Sequence, residues 1–315
     1  QLPTPFWSEN FTNGFPQNWT TTDASNQDVL WTWCPNPALG NDDPGCSPVF
    51  SDALNGQLPF KSATANTGSM LVDSDEPGDL PSNHISQLTT APINCTGKDI
   101  VYITFQTHIG VYTVGADANA ILRVSTNGTT WTDYPVFSGL TTTVRWSENP
   151  ETPIIDISAT AANQANVLIQ WQWTGNYEYM WNLDDVELYN QNPTPRNDVS
   201  ISAFFYPVSS YATPVSQIAS DTFRFEVNLS NNGLNAQTNV VVTAFVAEDG
   251  GSTLHSQTIN IPMLNAGVKD SSFVFPILYA PALNTGLYKL GYLSLIHISE
   301  PTRLRRISYA VFCLK

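Results

Sequence analysis

The chain has 315 residues and a formal net charge of −15 at pH 7, from 27 acidic and 12 basic side chains. So few cations cannot neutralise many phosphates, which excludes nucleic acid as a partner and argues against docking on anionic membrane. Aromatic residues make up 11% and charged residues 12%, the composition of a folded β-rich protein long enough for two domains, and no stretch is apolar enough to span a membrane.

In chain order, Gln1 runs directly into domain-like sequence, Phe6-Trp7-Ser8-Glu9-Asn10-Phe11. That start is expected of a mature extracellular or cell-surface chain whose signal peptide was removed before Gln1. Trp31 and Trp33 follow in polar surroundings. Cys34 and Cys46 bracket a turn-forming loop, Pro35 to Gly45. A disulfide there would contribute roughly 3 kcal/mol on the loop-entropy model and would need an oxidising compartment. Buried free thiols are the alternative, and Cys95 has no evident partner.

Nearly every later segment alternates with the period of a strand. Val101, Ile103 and Phe105 share one parity, as do Leu122 and Val124, and Val167, Ile169, Trp171 and Trp173. Asn127-Gly128 predicts a tight hairpin leading into Trp131. In Trp181-Asn182-Leu183-Asp184-Asp185-Val186-Glu187-Leu188 the apolar parity switches between Leu183 and Val186. A switch of face inside a strand requires a bulge or an irregular passage. It falls on two adjacent acids, which need a cation or a set of backbone N–H donors.

All nine Trp lie between Trp7 and Trp181. The compositional break coincides with the polar, Pro-containing stretch Asn190 to Pro195. Short strands then recur around Phe223 to Val227, Val240 to Val242 and Phe273 to Phe275, spaced as in an immunoglobulin-like sandwich of about 100 residues. Leu293 to Arg303 reads LSLIHISEPTR and Ile307 to Lys315 reads ISYAVFCLK. Both read as the in-frame translation of a transposase-type sequencing adapter and its primer site, so residues 293–315 are expected to be an artefactual tail of a fragment. Without them the net charge moves from −15 to −18, because Arg303, Arg305, Arg306, Lys315 and only one acid, Glu300, are lost.

Ordered blocks within residues 5–190 carry a family resemblance. They are Trp7 to Phe11, Gly14 to Thr20, Leu88 to Asn94, Val124 to Trp131, Ile155 to Ser158 and Trp181 to Val186. The region resembles the MAM-like and cleaved-adhesin jelly rolls of secreted Bacteroidetes-type proteins, a setting that fits type IX secretion. The domain after it is similar to their immunoglobulin-like adhesion repeats. The expected fold is all-β: a jelly-roll β-sandwich over residues 1–190, a linker at 191–197, an immunoglobulin-like β-sandwich over 198–292, then the tail. The resemblance implies a structural Ca2+ near the joined chain ends, with Glu9, Asp73, Asp75, Asp184 and Asp185 as ligands. Asn10 departs from the pattern, since an acid often follows Glu9, and solvated acids or turn caps are the alternative.

A catalytic constellation is missing: the three His before the tail are far apart, with no H-E-x-x-H pair, no G-x-S-x-G elbow and no E-x-D-x-x-E strand. Enzymatic activity is therefore not expected. Trp171 and Trp173 share the core parity. Trp31, Trp33, Tyr177 and Tyr179 lie in polar or Gly-rich sequence and are the candidates for an exposed platform. The reading is a non-catalytic secreted adhesion or carbohydrate-binding protein whose partner is a polysaccharide or glycoprotein surface. The alternatives are an architectural spacer, or the accessory region of a larger secreted peptidase or glycosidase.

Overall fold

Alternating apolar and polar side chains place every second residue on one face, so two sheets can bury their apolar faces against each other. In the computed structural model the described residues are 3–42, 46, 59–112, 119–137, 145–206, 212–213, 224–280, 286–295 and 308–314. They are nearly all β, as expected. The chain divides into two compact units, residues 2–193 and 194–315 with Gln1.

The first unit contains β1 (Trp7–Glu9), β2 (Thr20–Asp23), β3 (Thr32–Cys34), β4 (Ser69–Asp73), β5 (His84–Thr89), β6 (Tyr102–Gly110), β7 (Asn119–Ser125) and β8 (Thr132–Pro135). After these come β9 (Ile154–Asp156), a single helical turn α1 (Ser158–Ala161), β10 (Leu168–Gly175) and β11 (Met180–Tyr189). One sheet runs β3-β4-β11-β6-β9, with β1 also paired to β11; the other runs β2-β5-β10-β7-β8. β1 and β4 lie end to end along β11. β4 pairs with Met180 to Leu183 and β1 with Val186 to Leu188. The two ends of the unit's chain therefore lie side by side.

Between the sheets, Met70, Phe105, Trp181 and Leu183 of one meet Leu88, Leu122, Trp171 and Trp173 of the other. Trp171 packs parallel to Trp19 at 5.9 Å and edge-on to Phe105 at 5.8 Å. These are favourable aromatic geometries. Cys34 and Cys46 form a disulfide with their Cα atoms 4.7 Å apart, and Cys95 is buried.

The second unit contains β12 (Val199–Tyr206), β13 (Ala212–Thr213), β14 (Glu226–Asn231), β15 (Gln237–Glu248), β16 (Thr253–Leu264), β17 (Ser271–Val274), β18 (Gly286–Leu295) and β19 (Ser308–Leu314). Its sheets run β12-β14-β17 and β13-β19-β18-β15-β16. Phe225, Val227, Val242, Leu290 and Tyr292 are among its core residues. The expected tail enters this unit: β18 continues to Leu295, and β19 pairs antiparallel along β18 and parallel with β13. Residues 296–307 and 315 of that tail lie outside the described residues.

Trp171 has no exposed surface, so Trp171→Ala should lower the stability of the first unit by about 3–5 kcal/mol through lost burial and the cavity left behind. Urea unfolding followed by tryptophan fluorescence, which reports this unit alone, measures the shift.

Candidate functional site

The parity switch in β11 appears as a register shift against β6 between Asp184 and Glu187. On the other side of β11 the same residues fall in the gap where β4 stops and β1 takes over. Asp185 adopts a left-handed backbone, φ 47°. Segment 62–64 fills the gap. Ser62 Oγ donates to Asp184 Oδ2. Thr64 Oγ1 lies 3.0 Å from Asp184 Oδ2 and 2.8 Å from Asp185 Oδ1. The Asp185 backbone N–H donates to Asp184 Oδ1 at 2.7 Å.

That one threonine proton must serve two carboxylates, and Asp185 Oδ2 is buried without a hydrogen bond among the described residues. Burial, with the Asp185 charge adding to it, pushes the Asp184 carboxyl up to about 7. The arrangement holds more carboxylate oxygens than donors, which suits a cation that takes oxygen ligands. Glu9 is close in register, opposite Val186, but its Oε1 accepts the Phe11 backbone N–H at 2.8 Å.

Asp73 and Asp75 do not join this locus. Asp73 pairs opposite Met180, four residues from Asp184 and so about 13 Å along the strand. Its Oδ1 caps the backbone N–H groups of Asp75 and Glu76 at 2.8 and 2.9 Å, while its Oδ2 is buried without a partner among the described residues. Burial pushes its carboxyl up to about 7 as well. The expected single metal shell is thus two acidic loci, because the strand separates them. Among the described residues no three His, Cys, Asp or Glu side chains come together as a metal site.

The aromatic candidates divide. Trp31 is 1% exposed and packs on Trp181 at 5.2 Å, so it belongs to the core. Trp33 is half-buried, and its Nε1–H donates to the Phe11 carbonyl at 2.9 Å, so it braces the N-terminal turn. Neither is a platform. Tyr177 is exposed, and Tyr179 stacks on Trp146 at 4.7 Å. Tyr112, also exposed, meets Tyr179 edge-on at 6.1 Å and lies under the Arg145 guanidinium at 5.1 Å. Trp146 bridges to Gly110 at the end of β6, where a Cβ would sit 1.8 Å from the indole ring.

Sequence reasoning missed Tyr112 and Trp146, which lie far apart in the chain. Gly110 inside a strand was the available signal, since such a glycine marks a close approach. A groove of about 490 Å³ was missed too; Trp7, Phe15, Trp19 and Gln17 are among its lining residues. Ser74 Oγ lies 2.7 Å from His84 Nε2, a pairing seen in hydrolases, but both side chains are fully buried and brace the core.

No protein-family model matches the chain, and no curated protein is similar to it. Among solved structures it is similar to the K3 cleaved adhesin domain of Lys-gingipain from Porphyromonas gingivalis, at 16% identity and a TM-score of 0.37, over 59% of this chain and 99% of that one. The carbohydrate-binding module TmCBM61 in complex with β-1,4-galactotriose has 12% identity and a TM-score of 0.34, over 58% and 94%. A β-glucuronidase of Bacteroides uniformis has 10% identity and a TM-score of 0.33, over 94% of this chain and 32% of the enzyme. At these scores the similarities carry no functional argument.

In the metal-free protein, Asp184 holds its proton up to about 7 when folded, against an ordinary value of 3.8. The folded state then binds more protons between those values, so this group's contribution to stability falls as pH rises from about 4 to 7. His84 acts oppositely: burial lowers it from 6.5 to about 4, so its contribution is lost as pH falls through that window. Asp184→Asn should therefore gain stability relative to the parent as pH rises from 4 to 7. Urea midpoints in chelator at both pH values test this.

Proposed function

We propose that the protein is a non-catalytic adhesion module of the extracellular space or cell surface, and that its first unit binds a neutral polysaccharide or glycoprotein glycan weakly. The observation that carries this reading is the Tyr112–Tyr179–Trp146 cluster flanked by exposed Tyr177. Aromatic faces offer apolar contact to the C–H faces of a sugar, while Arg145 and the tyrosine hydroxyls offer hydrogen bonds. The Cys34–Cys46 disulfide fits an oxidising compartment. No helix among the described residues is long and apolar enough to cross a membrane.

A structural Ca2+ at the β11 break accompanies this reading. Asp184 and Asp185 would hold it, with Ser62 and Thr64 hydroxyls alongside and Glu9 the nearest further carboxylate in register. The buried, unpartnered Asp185 Oδ2 supports it. A ligand bound only by the native state stabilises by mass action, about 2.7 kcal/mol at a hundredfold excess over Kd. Calcium should therefore raise the melting temperature, chelator should reverse the rise, and Asp184→Asn should abolish it. An unchanged melting curve counts against the site.

For the glycan, the full chain is screened on a glycan array and by pull-down on insoluble polysaccharides. Tyr179→Ala and Tyr112→Ala should each weaken retention at least tenfold without changing the melting temperature. Retention that survives both substitutions would favour an architectural role for this cluster.

A further inference from the structure

The outward face of the sheet β2-β5-β10-β7-β8 carries two straight rows of polar side chains across its strands. In the first, Thr20 lies opposite Thr89, Thr89 opposite Gln170, Gln170 opposite Arg123, and Arg123 opposite Asp133. In the second, Thr22, Gln87 and Gln172 are aligned in the same way over three strands, and half-buried Ile121 and exposed Pro135 complete the row. The strand repeat sets the rows about 7 Å apart, and five strands extend roughly 19 Å.

Hydrogen bonds tie the rows into one lattice. Thr22 Oγ1 donates to Gln87 Oε1 at 3.2 Å, and Gln87 Nε2 to Gln172 Oε1 at 2.8 Å. Gln170 Nε2 donates to Thr89 Oγ1 at 3.0 Å. Arg123 Nη1 donates to Gln170 at 3.1 Å and Gln172 at 2.9 Å, while its Nε donates to Asp133 at 2.9 Å. The same guanidinium lies 5.5 Å from the Trp131 ring at the margin of the face. Side chains fixed in this way lose little further entropy on binding.

We propose that this face binds an extended, uncharged polysaccharide chain lying across the strands along the two rows. Charge selects the occupant, because Arg123 is neutralised by Asp133 and the rest of the lattice is amide and hydroxyl. A protein partner would look for an apolar, aromatic core to bury, whereas the middle of this face is the amide and hydroxyl lattice, with half-buried Ile85, Ile121 and Leu168 around it and one indole at its edge. Hydroxyl groups of a sugar chain can both donate to and accept from amides, and one pyranose face can stack on Trp131. The site shares no residue with the Tyr112–Tyr179–Trp146 cluster, so it stands or falls separately from that reading.

The test uses the full chain in affinity electrophoresis and calorimetry with soluble xylan, galactomannan, β-1,4-galactan and mixed-linkage β-glucan, and carboxymethylcellulose as the anionic probe. In a Tyr179→Ala background, where the aromatic cluster no longer contributes, Trp131→Ala and Gln172→Ala should each weaken the remaining binding of a neutral polysaccharide at least tenfold. Thr22→Lys, an exposed edge-strand change that lays a long cationic side chain beside Gln87, should do the same at an unchanged melting temperature. It keeps the test valid if Gln172→Ala misfolds. Tyr179→Ala should leave a residual binding that Trp131→Ala removes. Failure of every neutral polysaccharide to bind, preference for the anionic probe, or binding in that background indifferent to Trp131→Ala and Thr22→Lys would overturn the proposal. Loss of all binding with Tyr179→Ala alone would leave the aromatic cluster as the glycan site and overturn this one.

Discussion

The first unit depends on a single discontinuity, the break in β11 at Asp184–Asp185. A central strand is expected to offer continuous pairing on both sides. β11 instead changes neighbour, from β4 to β1, and changes register against β6 at the same place. The change allows the first strand of the chain to close the sheet beside the last. Its cost is two acids in a gap, answered by segment 62–64 and by a backbone turned into the left-handed region. Without those hydroxyls, the fully buried Asp184 carboxylate would keep one backbone N–H donor, that of Asp185, against a second carboxylate.

Around that break, tryptophan is divided between two tasks. Trp31, Trp171, Trp173 and Trp181 have almost no exposed surface and fill the space between the sheets with large rings. Trp7, Trp131 and Trp146 keep part of their rings accessible and lie at the margins. A rigid aromatic interior fixes where the margins stand, and loops on such a scaffold can present rings with little loss of entropy. Gly110 shows the precision involved, since the Trp146 ring occupies the space that any side chain there would need.

Surface chemistry is correspondingly uneven. The acidic loci concentrate negative charge at two points along β11, whereas the aromatic cluster and the polar lattice on the opposite sheet offer stacking surfaces and neutral hydrogen-bonding groups. A chain with a net charge of −15 repels polyanions at long range, so these surfaces suit neutral, hydroxyl-rich ligands. Buried Ser74 and His84 illustrate the opposite case: a chemically suggestive pair that the core encloses.

The sequence alone determined the all-β class, because period-2 alternation at Val101 to Phe105 and Val167 to Trp173 leaves no other economical way to bury one face. It also located the irregularity at Asp184–Asp185, because parity is a local property of the chain. It could not decide which aromatic residues are exposed. Trp31 and Trp33 read like Tyr177 and Tyr179 in polar sequence, yet the pairing of β3 with β4 turns the first two towards the core and the N-terminal turn. Nor could it separate Asp73 from Asp184, since that distance is set by the register of β4 on β11. Tyr112, Trp146 and the row through Arg123 became visible only once strands distant in the chain were aligned. Burial and proximity across strands are properties of register, and register is fixed only when the whole sandwich closes on its core.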